Sequence, residues 1–480
     1  MTEFTAYKHR RDSAEERFQS SLAQNPSYQK ADAPFFLLSL ILLIIGLAAL
    51  LSASFVDRNR ITFDVISKQL LAAPVAVAAM YLASFIPVSR LDKKLTFRSL
   101  SLIFWAVAVV LTCLTLGGPL SGASNGARRW LVIGPIRFQP SELIKIGVIL
   151  VFADKLCRDG RPLYHTGEER PAEEYTRALF IRRIVVWWRS FKDALSRSPL
   201  MVLYPVVWPI KTFLRFFCYT LFPYNFVLVI SLIPLALQPH MSAAIIIAAV
   251  AVCVLIIGGL PKKTIIICVA LIAVAAAAVI ILANSRYKAA EARIELESQT
   301  REPSASEISA IYSEEIKPYQ LMRVVFWLHP DKDPSGASYQ TNMSLLAIGS
   351  GGLTGVGYLQ SRMKFNYLPE KQNDYVFSIF CEETGFLGAI AVMFVFAVFV
   401  WRGFWIARHV RDRHTAIVVA GIVSMFALQI LFNIAVITNS IPSTGISLPF
   451  FSSGLSALVT QLLGVGIVLS ASRTIPEYEF

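Results

Sequence analysis

The segment "HPDKDPSGASYQ" (329–340) puts two carboxylates, Asp331 and Asp333, on a proline- and glycine-broken stretch of a chain that is 55% hydrophobic. Asp before Pro commonly starts a turn, so one reading is a pair of solvated acceptors. The other is a general base working at a membrane surface. A second constellation lies in "RFQPSELIKIG" (137–147), where Pro140 and Ser141 open a helix and Glu142 and Lys145 share one of its faces. Ionisable groups inside an apolar run are costly, so this pair is a candidate for function as well as for a structural ion pair. Arg128, Arg129 and Arg137 stand just before it. Their guanidinium forks match phosphate oxygens, though lipid headgroups would satisfy them equally. Lys364, Glu370, Lys371 and Asp374 follow downstream, and Glu382 and Glu383 lie just inside a later apolar run, either as functional carboxylates or as acceptors in a solvated vestibule. Weaker signals are "LQPHMSAA", with Gln238, Pro239 and His240, and "NSIPSTGISLPFFSSG" (439–454), where Pro and polar groups interrupt apolar segments. A lone histidine such as His240 is more often a satisfied interfacial residue than a ligand.

Groups scattered over 250 residues can act together only if the chain folds their segments to one place. Only 16% of the 480 residues are charged, which excludes an ordinary soluble domain of this size and points to an all-α, polytopic membrane protein. Apolar runs near 35–55, 65–88, 98–117, 139–156, 221–238, 242–259, 263–283, 374–402, 414–438 and 449–473 predict about ten transmembrane helices. With both termini cytoplasmic, "SRLDKKLTFR" and "ARHVRDRH" fall inside, as the positive-inside rule requires. The net charge of +13 then reads as membrane topology, and nucleic acid is not an expected partner. The six cysteines form no CxxC pair, so neither a disulfide framework nor a zinc site is expected. The predicted plan is an N-terminal tail (1–34), helices one to four (35–156), a cytoplasmic insertion (157–220), helices five to seven (221–283), an outer loop (284–373), helices eight to ten (374–473) and a short tail (474–480). In the insertion, "LFIRRIVVWWRSFKDAL" suits a helix lying in the headgroup layer or an ordinary cytosolic subdomain. "KAAEARIELESQ" could carry the seventh helix out into solvent. No HExxH, GxSxG, Walker or dinucleotide motif stands in a credible context.

Five stretches in order, "RRWLVIGPIRFQPSELIKIG", "QPHMSAA", "HPDKDPSGASYQ", "YLPEKQNDYVFSIFCEETGFLGA" and "NIAVITNSIPSTGISLPFFSSG", resemble the signature segments of the SEDS family (shape, elongation, division and sporulation). The resemblance covers most of 35–475. It implies polymerisation of lipid II at the outer face of the cytoplasmic (inner) membrane, with loss of an undecaprenyl diphosphate. It implies as partners a class B penicillin-binding protein and other divisome or elongasome membrane proteins. Asp333 matches the family's proposed catalytic aspartate, and Glu142 and Lys145 match its functionally important pair. Substrate contacts are expected from Arg128, Arg129, Glu142, Lys145, Gln340, Lys364, Glu370 and Asp374. A divalent cation such as Mg²⁺ could bridge the diphosphates with few protein ligands, and no protein metal site is expected. Lys364 before "YLPE", "QPHMSA" and a long N-terminal tail are similar to the division (FtsW) branch rather than the elongation (RodA) branch. The chain departs from the family in "QNDY" (372–375) and in "FSSGLSA" (451–457), and its insertion and outer loop are longer than the family's. The competing readings are a flippase for the same lipid precursor, with Glu142 and Lys145 as its charged site, and a scaffold with no activity of its own.

Overall fold

The computed structural model describes residues 30–57, 60–61, 63–88, 94–95, 98–117, 121–124, 127–134, 136–158, 222–238, 240–259, 262–299, 304–316, 319–329, 337–365 and 367–475. The insertion from 159 to 220 with its tryptophan pair, both tail ends, and Asp331 and Asp333 lie outside the described residues.

Each of the ten apolar runs falls on a helix. In chain order these are α1 (Ala33–Ala53), α2 (Phe63–Ala83), α3 (Leu100–Leu114), α4 (Ser141–Arg158), α5 (Phe222–Leu237), α6 (Met241–Ile257) and α7 (Lys262–Ser298). After α8 (Ala305–Glu315), α9 (Tyr319–Leu328) and α10 (Ala337–Ser350) come α11 (Val376–His409), α12 (Arg413–Ile437) and α13 (Leu455–Ser472). Among the described residues, five helices are long and apolar enough to cross a membrane: α1, α2 from Val65, α11, α12 and α13. Their outer faces carry Leu37, Ile44, Leu71, Leu82, Phe394 and Trp401, each more than half exposed. So much exposed aliphatic surface suits lipid, and the chain is a multi-pass membrane protein.

α12 is the central pole. It packs against α11, α6, α4 and α13, and every residue from His414 to Phe426 is buried. Around it α2 pairs with α13, α1 with α11, and α3 and α6 with α4. Aspartates cap two of these helices. The Asp32 carboxylate accepts from the Phe35 amide at 2.8 Å, and that of Asp412 from the Thr415 amide at 2.9 Å. Asp32 also takes a bidentate pair from Arg402 of α11, and its own N–H donates to the Ser472 hydroxyl. One residue thus ties α1, α11 and α13 together.

Three features of the connecting segments matter for the site. Short antiparallel ladders occupy the loops: β1 (Phe55–Asp57) with β2 (Arg60–Ile61), and β3 (Lys94–Leu95) with β4 (Arg98–Ser99). The 118–138 loop is a three-stranded sheet of β5 (Ser121–Ser124), β6 (Ala127–Ile133) and β7 (Ile136–Phe138). Second, α7 runs well past its apolar stretch, as its helix-forming second half allows, and there builds a satellite core with α8 and α9. Tyr287, Ala290, Tyr312, Ile316, Val325 and Phe326 fill that core. Third, the tenth helix starts only at Leu455, because 438–454 is irregular chain with positive φ at Asn439, Gly445, Phe450 and Gly454.

Candidate active site

β7 leads directly into α4, which sets the Glu142–Lys145 pair one turn below the loops. Lys145 Nζ donates to Glu142 Oε1 at 2.7 Å, with both side chains almost fully buried. Above them His240, at the N-terminus of α6, lies 3.2 Å from the Gln139 amide and 3.5 Å from the Ser141 hydroxyl. Burial and then the positive charges of Arg129 and Lys145 push this imidazole down to about 3, so it is a neutral bridge between α4 and α6. The satisfied-interface reading of His240 holds. Gln238, next to it, donates to the Thr112 carbonyl and the Thr115 hydroxyl, and its own carbonyl accepts from Arg129 Nε at 3.4 Å.

Arg129 therefore leans from β6 over the ends of α3, α5 and α6. Its partners in charge come from two further elements. Arg323, on α9, donates to the Ser443 carbonyl at 2.9 Å, and Asp374 stands on the loop before α11. Gly445 separates these last two. A Cβ on it would sit 3.2 Å from Asp374 Oδ2 and 4.0 Å from Arg323 Nη1. Its φ of +76° is the left-handed conformation that glycine adopts without cost. The mutual fields are legible in the charges. Burial and then Arg323 lower the Arg129 pKa, while Asp374 opposes them. Burial, then Glu370, push the Asp374 carboxyl up to about 6 against the pull of Arg323 and Arg129. Two guanidiniums thus stand near the Asp374 and Glu370 carboxylates, and their planar forks match the oxygens of a diphosphate.

The backbone around Asp374 is stitched to the irregular 438–454 segment residue by residue. The Gln372 carbonyl accepts from the Ser453 amide at 2.8 Å, and the Asn373 carbonyl from the Ser452 hydroxyl at 2.7 Å. Asn433, fully buried on α12, donates one amide group to both the Asp374 and the Ile446 carbonyls at 2.8 Å. Trp327 Nε1 on α9 donates to the Asn439 carbonyl at 3.0 Å. Asn433 and Arg323 escaped the sequence reading, although a buried amide such as Asn433 within an apolar run is the kind of group that marks such positions.

Lys364, one of the expected substrate contacts, lies in the protein's interior. It is fully buried, and Nζ donates to Glu383 Oε1 at 2.9 Å and to the Ser52 hydroxyl at 3.1 Å. Beside it Glu382 accepts from the Ser361 hydroxyl at 2.5 Å and the Arg362 amide at 2.8 Å. The two glutamates are buried acceptors, not groups in a solvated vestibule. They exist where they do because α11 kinks at Gly385 and the 351–357 loop docks into the kink. Gly355 (φ +79°) and Gly385 (φ +68°) touch so closely that a Cβ on either would collide with the other's backbone or its neighbour's. Breaking the pair should therefore cost stability before chemistry. Glu383→Ala strands a buried ammonium, and about 3–5 kcal/mol is lost. The check is thermal unfolding of the detergent-purified protein, with Lys364→Met plus Glu383→Leu recovering most of the loss.

Of the other expected contacts, Glu370 is exposed beside Asp374 and Gln340 is partly exposed in the first turn of α10. The main chain of Arg128 belongs to β6, and its side chain lies outside the described residues. Arg137 is exposed on β7.

Comparison with known proteins adds to this geometry. The family model described as "Cell cycle protein", covering FtsW, RodA and SpoVE, matches residues 32–476. The stage V sporulation protein E of Bacillus subtilis is 47% identical over 156 residues, 32% of this chain and 43% of that protein. The chain thus aligns with less than half the length of that relative. A protein of Idiomarina loihiensis described as "Probable peptidoglycan glycosyltransferase FtsW" is 26% identical over 453 residues, 93% of this chain and 87% of that one. A chain solved in a peptidoglycan synthase complex, studied for its coordination of polymerization and crosslinking, superposes with a TM-score of 0.59 at 22% identity. The superposition covers 92% of this chain and 98% of the other. At that identity the likeness is one of fold.

Proposed function

Because this chain belongs to the FtsW/RodA/SpoVE family of cell cycle proteins, we infer that it is a peptidoglycan glycosyltransferase that polymerises lipid II. The observation that carries the reading is that Arg323 and Asp374 flank Gly445, with Arg129 of β6 within their field, where α9 and the loop before α11 reach the irregular 438–454 segment. Asp333 is the base: its carboxylate takes the proton of the acceptor sugar hydroxyl as that oxygen attacks the donor's anomeric carbon. The bond to the prenyl diphosphate breaks, and Arg129 and Arg323, with Arg128, take up the charge that develops on the leaving oxygen. Direct displacement with one base inverts the anomeric centre. Glu142 and Lys145 form the floor of the site, and Gln340 and Glu370 its rim. Lys364 serves from its buried pair by holding the 351–365 loop.

Among the described residues no three histidine, cysteine, aspartate or glutamate side chains converge to hold a metal ion. No step here depends on a divalent cation. Chelation followed by Mg²⁺ titration measures the requirement.

The protein sits in the cytoplasmic (inner) membrane with about ten spans and both termini inside, which places the Arg129 end outside. It works in division more than in elongation, beside a class B penicillin-binding protein and other membrane proteins of that machinery. The superposition on a chain from a synthase complex supports such a partner.

Ionised Asp374 offsets the repulsion between two guanidiniums. The form present above about pH 6 is the working one. Polymerisation should fall as pH drops through that value, about tenfold per unit below it. Rates on labelled lipid II from pH 5 to 8 test this, and Asp374→Asn should be slow with no acidic limb near 6. The function itself is tested by the purified protein in vesicles containing labelled lipid II. Glycan strands are the expected product. Transfer of the lipid across the bilayer without glycan would replace this reading by transport.

A further inference from the structure

The helix start of α13 carries donors that the protein itself does not use. Its cap residue is Gly454, which has no side chain to turn back onto the first-turn amides as a serine or aspartate would. A Cβ on Gly454 would meet only the Ala457 Cβ, at 3.6 Å, so no other group crowds the helix start. The hydroxyls just upstream are engaged elsewhere: that of Ser452 donates to the Asn373 carbonyl and that of Ser453 to the Asn373 side-chain oxygen. Two further side chains complete the place. Gln69 of α2, 2% exposed, accepts the Gly454 N–H on Oε1 at 3.1 Å. That bond fixes the amide and leaves Nε2 as a buried donor with no acceptor among the described residues. The Ser456 hydroxyl, in the first turn of α13 and 1% exposed, likewise has no hydrogen-bond partner among them. Buried donors are rarely left in this state.

We propose that the junction of α2 with the N-terminus of α13 binds the phosphate of a lipid. Phosphate oxygens there take the Gln69 Nε2–H, the Ser456 O–H and the first-turn amides, with the positive end of the helix dipole behind them. The surroundings suit a lipid rather than a free anion. Leu70 and Leu71, next to Gln69, and Val75 further along α2 are each more than half exposed, an apolar surface for an acyl or prenyl chain. Residues 453–455 are only half-buried, so a headgroup reaches the helix start from outside. The site is distinct from the mouth around Gly445, to which α2 contributes nothing. Two sources offer the same chemistry, the headgroup of a membrane phospholipid and the diphosphate of a second prenyl-linked substrate. The inference goes beyond the glycosyltransferase reading and concerns binding alone.

The test counts lipids retained by the full-length protein, delipidated in a maltoside detergent at neutral pH, by native mass spectrometry. The probes are phosphatidylglycerol, diacylglycerol as its phosphate-free counterpart, and undecaprenyl diphosphate. The last is measured in an Arg323→Ala background, which weakens its hold at the other mouth. Ser456→Ala removes one donor. Gln69→Glu turns the second donor into an anion, ionised beside a helix N-terminus, and keeps an oxygen for the Gly454 N–H. Each should weaken retention of a phosphate probe by about tenfold, the size of one hydrogen bond to a charged group, and leave diacylglycerol unmoved. A loss confined to phosphatidylglycerol assigns the site to bilayer headgroups, and one confined to undecaprenyl diphosphate assigns it to a second substrate. Loss of both means that the phosphate alone is recognised. Thermal unfolding of each variant is the folding control, and if Gln69→Glu lowers the unfolding temperature, Ser456→Ala decides. Unchanged retention of both phosphate probes in Ser456→Ala overturns the proposal, since the donors then hold water only. Diacylglycerol held as tightly as phosphatidylglycerol overturns it too. Glycan synthesis is read separately, so either result leaves the proposed function in place.

Discussion

Asp333→Ala should abolish glycan polymerisation, by about 10²–10⁴-fold or to the detection limit, while the protein still inserts and unfolds at the wild-type temperature. The size follows from what a base contributes when the nucleophile is an alcohol. Without it the oxygen must attack while still holding its proton. Stability is spared because Asp333 belongs to a segment whose two ends are secured independently. On one side His329 stacks on Tyr287 at 3.9 Å between ring centroids, and its Nε2 lies 3.3 Å from the Asn284 side-chain oxygen. On the other, Ser344 of α10 donates to the Ile437 carbonyl at 2.9 Å and lies 2.7 Å from the Ser378 hydroxyl. Asp333→Asn should be as inactive as alanine, since an amide has the shape and lacks the basicity. Gel separation of labelled glycan reads both, and retention of full activity by either variant removes the base assignment.

The second large effect is expected at Arg323. This side chain does two things at once: it faces the Asp374–Gly445 mouth, and it ties α9 to the Ser443 carbonyl. Arg323→Ala should lower polymerisation by about 10²–10³-fold, the usual size for one donor lost from a group that stabilises developing charge. Lysine should restore little. It keeps the charge as a point and loses the planar fork that can serve a carbonyl and an oxyanion together. Arg129→Ala should fall in the same direction. The double variant should cost less than the product of the two, because both arginines address one anion. Apparent substrate affinity separates the roles. A charge clamp that strengthens in the transition state lowers kcat, whereas a mere docking contact raises KM alone.

How much of this was legible without coordinates depends on which forces wrote it. All ten apolar runs became helices, since burying or lipid-facing twenty apolar residues leaves the backbone few other choices. Glu142 and Lys145 were found because charge within an apolar run is conspicuous, and the i,i+3 spacing did make an ion pair. The burial of Lys364 was hidden for the opposite reason. Its segment reads as polar loop, and the docking of Gly355 against Gly385, with the bonds to Glu382 and Glu383, draws it into the protein, which no local pattern announces. The three-stranded sheet that delivers Arg129 was likewise invisible, as "SGAS" and "IRF" are too short to show a period. Arg323 and Asn433 act across 120 and 13 or more residues of sequence, so their partners are tertiary facts.

The proposed function requires Arg129 and Arg323, with Asp374 between them, to take a prenyl-linked diphosphate at one end of the bundle. The most direct measurement is a structure of the full-length protein with a non-reacting lipid-linked diphosphate bound in a nanodisc. Both phosphates should lie within hydrogen-bond reach of Arg129 and Arg323, above the Glu142–Lys145 pair. Phosphates seated elsewhere, with Arg323 still on Ser443 and Asp374 undisturbed, would contradict it.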